Sequence, residues 1–164
     1  MTYAKAQNNW SAGLGAIAGL AGTAVMIAMR SFDEQYAPGT ILPTAEDPGA
    51  FLVHRAERIA GLAGKVPSRI EQPAAIATHA GYGTLYGVLY GLWRGRGRRR
   101  SALADGVMLG TAVYAASDLG ILPATGLSKP PWQQKLPQIA GELLRHIAYG
   151  VAVASAYGVI DEHL

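Results

Sequence analysis

The residues of this chain best suited to move a proton or hold a cation lie inside apolar stretches: His79, Asp118, and Glu142 with His146. An ionisable group in hydrocarbon is costly, so each is by default a functional hypothesis. Glu142 and His146 are four apart, one helical turn, so the carboxylate can hold the imidazole in one tautomer. Arg145, three residues from Glu142, can neutralise it or snorkel to the surface. Two imidazoles and two carboxylates are a reasonable proton site, or a first shell for zinc or another divalent ion. A b-type haem needs two imidazoles facing each other across a bundle, which His79 and His146 offer, with glycines making room for the ring. The third reading is purely structural: interhelical hydrogen bonds, each worth about 0.6–2 kcal/mol. The expectation is no cofactor, with the divalent metal and the haem as the alternatives and the metal's identity open.

Four stretches are long and apolar enough to hold these groups in a bilayer: residues 11–29, 73–93, 102–122 and 137–160. Nineteen helical residues rise roughly 28 Å, enough for the hydrocarbon core. Pro73 and Pro137 suit the first turn of a helix, where a missing N–H costs nothing. Of 164 residues, 50% are hydrophobic, 15% are charged and 21 are Gly. Soluble domains carry about 25% charged residues. The expected fold is all-α: a single polytopic membrane domain, a bundle of four transmembrane helices. With no Cys, disulfides and thiolate chemistry are excluded. The apolar stretch after the N-terminus is long for a signal-peptide core and lacks a small-x-small cleavage site, so it reads as a retained helix.

Small residues recur every four positions in each stretch, marking one face per helix. The faces are Ser11, Gly15, Gly19 and Thr23; Gly83, Gly87 and Gly91, headed by His79; Gly106 and Gly110, continuing to Tyr114 and Asp118; and Gly150, Ala154 and Gly158, headed by Glu142 and His146. Lipid gives helices no hydrophobic reason to associate, so close backbone approach through small residues supplies dispersion contacts instead. Tyr82, Tyr86 and Tyr90 form a second stripe, whose rings pack into the grooves the glycines open.

The net charge of +3 is local, because five of fourteen basic residues are Arg94, Arg96, Arg98, Arg99 and Arg100. Between two spans, such a cluster signals a cytoplasmic loop rather than a nucleic-acid arm. Both termini are then cytoplasmic, with Trp10 and Trp93 as inner-interface anchors, and residues 31–72 lie outside. His79, Asp118, Glu142 and His146 fall at one depth, near the outer leaflet. Within the outer segment, Asp47-Pro48 starts a helix, and Leu52, Ile59, Leu62 and Val66 give residues 51–66 an apolar face. That helix either lies on the membrane or is an ordinary loop helix. Pro123, Pro130, Pro131 and Trp132 stiffen the second outer loop, with Trp132 at the headgroups. His54 and His163 read as solvated.

The architecture resembles the YagU-like family of small bacterial inner-membrane proteins: one span, a long outer segment, a His-headed second span, a short basic hairpin, a third span ending in a Pro-containing loop, and a last span. Pro131-Trp132 and Glu142-Leu-Leu-Arg-His146 carry the resemblance in letters. The resemblance implies a multi-pass protein of the bacterial inner membrane, with no catalytic activity or functional residues to transfer. The Arg cluster and the Tyr stripe depart from it. No Ser-His-Asp order, phosphate loop or metalloprotease signature is present. The expected role is therefore non-enzymatic: an accessory or scaffolding subunit meeting lipid and other membrane subunits, or itself, through leftover small-residue faces. The alternative is a proton- or metal-handling membrane protein.

Overall fold

The computed structural model describes residues 2–94 and 101–163. Arg96, Arg98, Arg99 and Arg100 lie outside the described residues. Among those described, every element is helical: α1 (Thr2–Tyr36), α2 (Pro48–Ala60), α3 (Ser68–Arg94), α4 (Ala102–Ala116), a wide π turn (Ser117–Ile121), α5 (Leu122–Ala124) and α6 (Leu136–Glu162), with short 3-10 turns at Pro38–Thr40 and Pro131–Gln133.

Among the described residues, three helical stretches are long and apolar enough to cross a membrane: Trp10–Tyr36, Ala102–Ala124 and Leu136–Glu162. The chain is accordingly a membrane protein by length and composition. Its surface agrees: Ile17, Leu20, Leu85, Leu103 and Leu144 are exposed, while Asp105, Asp118, Glu142 and Arg145 are buried. That is the reverse of the soluble arrangement. α3 matches α6 in length at 27 residues but opens on the polar Ser68-Arg69-Ile70-Glu71-Gln72.

Several boundaries differ from those expected, each for a local reason. α1 continues past residue 29 to Tyr36, because Arg30 and Glu34 pair at 3.1 Å one turn apart and no Gly or Pro intervenes. α3 begins five residues before Pro73, which therefore lies inside the helix. Its first turn is nucleated by Pro67, whose carbonyl accepts from the N–H groups of Ile70 and Glu71. α2 starts as expected, with the Asp47 side chain accepting from Ala50 N–H at 3.0 Å and Pro48 in the first turn. It ends at Ala60 rather than residue 66, since Gly61 takes a left-handed φ of 70°. α4 widens into the π turn just before Pro123, whose missing N–H interrupts the regular ladder.

The long helices pack as antiparallel pairs through their glycines. Between α1 and α3, Ser11 meets Gly91, Gly15 meets Gly87 and Gly19 meets Gly83. Between α4 and α6, Gly106 meets Gly150, and Gly110 meets the backbone of His146. A Cβ on Gly19 would come 2.6 Å from the Gly83 carbonyl oxygen, so no larger residue fits at this separation. Gly22 of α1 lies under Tyr149 and Val153 of α6 and joins the two pairs. Gly158 meets nothing within 4 Å at its Cβ position and so stands apart from the other glycines named for packing.

The buried core follows these seams: Leu14, Ala18, Tyr90, Tyr149, Val153 and Tyr157. Tyr149 reaches from α6 to α3, its hydroxyl donating to the Gly83 carbonyl at 2.6 Å. α3 and α4 approach at one end, where Arg94 pairs with the fully buried Asp105 at 3.1 Å. Toward Asp118, α1, α3, the π turn and α6 instead line a cavity of about 190 Å³, with α2 forming part of its wall.

Candidate functional site

Two linked polar groups occupy the Asp118 end, one an ionic lock and the other an imidazole–carboxylate dyad. The lock centres on Arg145, only 1% exposed. Its Nη2 lies 2.6 Å from Glu142 Oε1, its Nε donates to Glu142 Oε2 at 3.3 Å, its Nη1 pairs with Asp33, and Nη2 also donates to the Thr40 carbonyl at 3.1 Å. Glu142 Oε1 accepts from Leu42 N–H at 2.9 Å as well. The last turns of α1, the loop after it and the first turns of α6 are thereby stapled together. Breaking such a pair leaves an uncompensated buried charge, which costs about 3–5 kcal/mol. Of the two behaviours open to Arg145, neutralisation is the one observed.

The dyad is His146 with Asp118. His146 Nδ1 lies 2.9 Å from the backbone carbonyl of Glu142, and its Nε2 lies 3.2 Å from Ser117 Oγ and 3.3 Å from Asp118 Oδ2. The tautomer is thus held by the Glu142 carbonyl, not by the carboxylate, which Arg145 and Leu42 occupy. A carbonyl only accepts, so Nδ1 carries a proton. Ser117 has one hydroxyl proton, within reach of the Val113 carbonyl at 2.8 Å and of Asp118 Oδ2 at 2.5 Å. Spent on either, it leaves Nε2 facing a carboxylate oxygen; donated instead to Nε2 at 3.2 Å, it satisfies a neutral imidazole. His146 and Asp118 are therefore two titratable side chains in direct contact, bridged by one hydroxyl. Asp118 and Ser117 both lie on the Nε2 side. In a Ser-His-Asp relay the acid bonds Nδ1 instead, so this is not that machinery.

Asp118, Glu142 and His146 place one donor atom each within 4.8 Å of the others, all buried. A metal there would have to displace Arg145 from Glu142 and would lie beside a guanidinium. His79 does not join this group: it is exposed and lines the cavity wall. A haem bridging His79 and His146 would need His146 Nε2, which Ser117 and Asp118 engage.

The cavity above the dyad carries Tyr82 and Tyr86, whose hydroxyls are 3.1 Å apart and whose rings meet edge to face at 4.9 Å. Tyr90, third in the stripe, is buried edge-on against Tyr157 at 5.5 Å. Tyr114 packs on the His146 ring, centroids 5.7 Å apart. The Tyr stripe thus faces inward and offers little to a partner.

Sequence reasoning missed Asp33, Ser117 and Asp105. Asp33 was placed beyond the first span, although an i,i+3/i+4 reading of Arg30, Asp33 and Glu34 would have extended the helix. Ser117 carries no signal beyond its place beside Asp118. Asp105 lies one residue before Gly106, on an edge of the packing face. Trp10 is 53% and Trp132 is 82% exposed, while Trp93 packs against the core. No protein-family model matches this chain, and no curated protein or solved structure matches it either.

Proposed function

We propose that this chain is a bacterial inner-membrane protein that crosses the bilayer four times, through α1, α3, α4–α5 and α6, and binds a proton at its outer side. Arg94 and the neighbouring arginines then mark the cytoplasmic face, and the cavity opens outward, with α2 on the outer surface. The resemblance to the YagU-like proteins agrees with that location. The observation carrying the proton assignment is the approach of His146 Nε2 to Asp118 Oδ2 at 3.3 Å, buried at the floor of an open cavity. Two titratable partners in contact at the floor of a cavity support a functional role beyond packing.

The accessory-subunit reading keeps a narrower basis, because most small-residue faces are used within the chain. Gly13 and Gly81 meet nothing within 4 Å and remain for a partner helix or a second copy. The two readings separate in proteoliposomes of uniform orientation. A pH jump on the outer side should exchange protons with the wild-type chain, and His146→Gln and Asp118→Asn should abolish that exchange while preserving the fold. Equal exchange in all three proteins would refute the proton site and leave the accessory role.

A further inference from the structure

We infer that a first-row divalent cation of the zinc class binds where α2 meets the first turn of α3, held by His54, Glu57 and Glu71. Donor atoms of these three side chains all lie within 4.8 Å of one another. His54 and Glu57 are three apart on α2, so they share one helix face, and Glu71 arrives from α3. Together with Glu46, they line a pocket closed on one side by the turn through Ala63 and Gly64. Gly64 makes that turn feasible with a φ of 68°.

Two independent features separate this group from an ordinary acidic patch. Glu57 is only 8% exposed, yet its Oε1 has no hydrogen-bond partner. A buried carboxylate oxygen left unpaired is costly, and a cation in the pocket it lines would satisfy it. His54, in turn, is oriented by a second carboxylate, its Nδ1 pairing with Glu46. Carboxylate–imidazole pairing through one nitrogen is how metal-ligating histidines are held, the other nitrogen being the ligand.

The donor set selects the ion. One imidazole nitrogen with two carboxylates suits zinc or its first-row neighbours, whereas calcium and magnesium take oxygen alone. Glu46, Glu57 and Glu71 against Arg58 leave two formal negative charges around the pocket, matching a divalent ion. Three protein ligands leave a fourth position open to water. The ion would clip α2 to α3. Because Pro48, Gly49, Phe51 and Leu52 of α2 wall the cavity above the dyad, it would also fix that wall. The site is separate from His146 and Asp118 and does not depend on their role. His54, which reads from sequence as solvated, becomes a ligand.

The test is titration of the tag-free, chelator-stripped full chain in detergent with zinc chloride against a competing chelator, with cobalt absorption as a second readout. One equivalent should bind. His54→Ala and Glu57→Gln should each abolish tight binding, and Glu46→Gln should weaken it about 10–100-fold. Asp118→Asn should bind as the wild type does. Helical circular dichroism identifies any variant that has lost its fold, and the remaining ligand variant then decides. Wild-type binding no tighter than that of the folded ligand variants, or binding lost in Asp118→Asn instead, would overturn the assignment.

Discussion

Asp105 and Asp118 are both buried carboxylates, one in α4 and one in the π turn that continues it, and they have opposite surroundings. Asp105 is closed in where α3 and α4 meet, paired with Arg94 at 3.1 Å. Asp118 lies where the helices part around a cavity, and its partner is His146 at 3.3 Å. A guanidinium stays charged at any accessible pH, so the first pair is a fixed strut. The second pair sets an imidazole against the carboxylate, and it is the pair for which we propose proton binding. Two carboxylates on one continuous run thus differ in surroundings because of what the neighbouring helix brings to them and whether a cavity reaches them.

This contrast can be broken at several points. The largest effect is expected from the shared scaffold. Gly19→Leu or Gly87→Leu forces α1 and α3 apart and should abolish folded protein, read as loss of a monodisperse peak in detergent. Gly158→Leu, facing open space, should leave that peak unchanged. Arg145→Ala strands Glu142 and Asp33 and should cost about 3–5 kcal/mol in equilibrium unfolding. Tyr149→Phe removes one buried hydrogen bond between α6 and α3 and should cost about 1–3 kcal/mol, because the Gly83 carbonyl loses its hydroxyl donor. The smallest effect is expected at His79, exposed on the cavity wall. His79→Ala should change stability by less than about 0.5 kcal/mol and leave proton exchange at the dyad intact.

Much of this arrangement was legible in the chain. Spacing of four placed Gly15, Gly19, Gly87, Gly106 and Gly110 on helix faces, and those residues meet neighbouring backbones in the fold. Composition and length marked apolar helices, three of which meet the requirements for crossing a membrane. The same arithmetic put Asp118 near Glu142 and His146 because all three continue glycine faces. His79 lines the same cavity as these three but stays exposed and outside their hydrogen-bonded group. Helix ends were misread where tertiary contacts decide them, as with Asp33, which α1 carries to Arg145 across more than a hundred residues of sequence. Glu46, His54, Glu57 and Glu71 were illegible as a group, since only the fold of the loop after α2 brings α3's first turn beside them.

The central claim is that one proton is held jointly by Asp118 and His146 and is open to the cavity side. Nuclear magnetic resonance of bilayer-embedded protein, labelled at Asp carboxyl carbons and His ring nitrogens and followed across pH, tests it most directly. The Asp118 and His146 Nε2 signals should change together while Asp105 stays constant. Independent changes at Asp118 and His146, or a response at Asp105 matching theirs, would contradict the account.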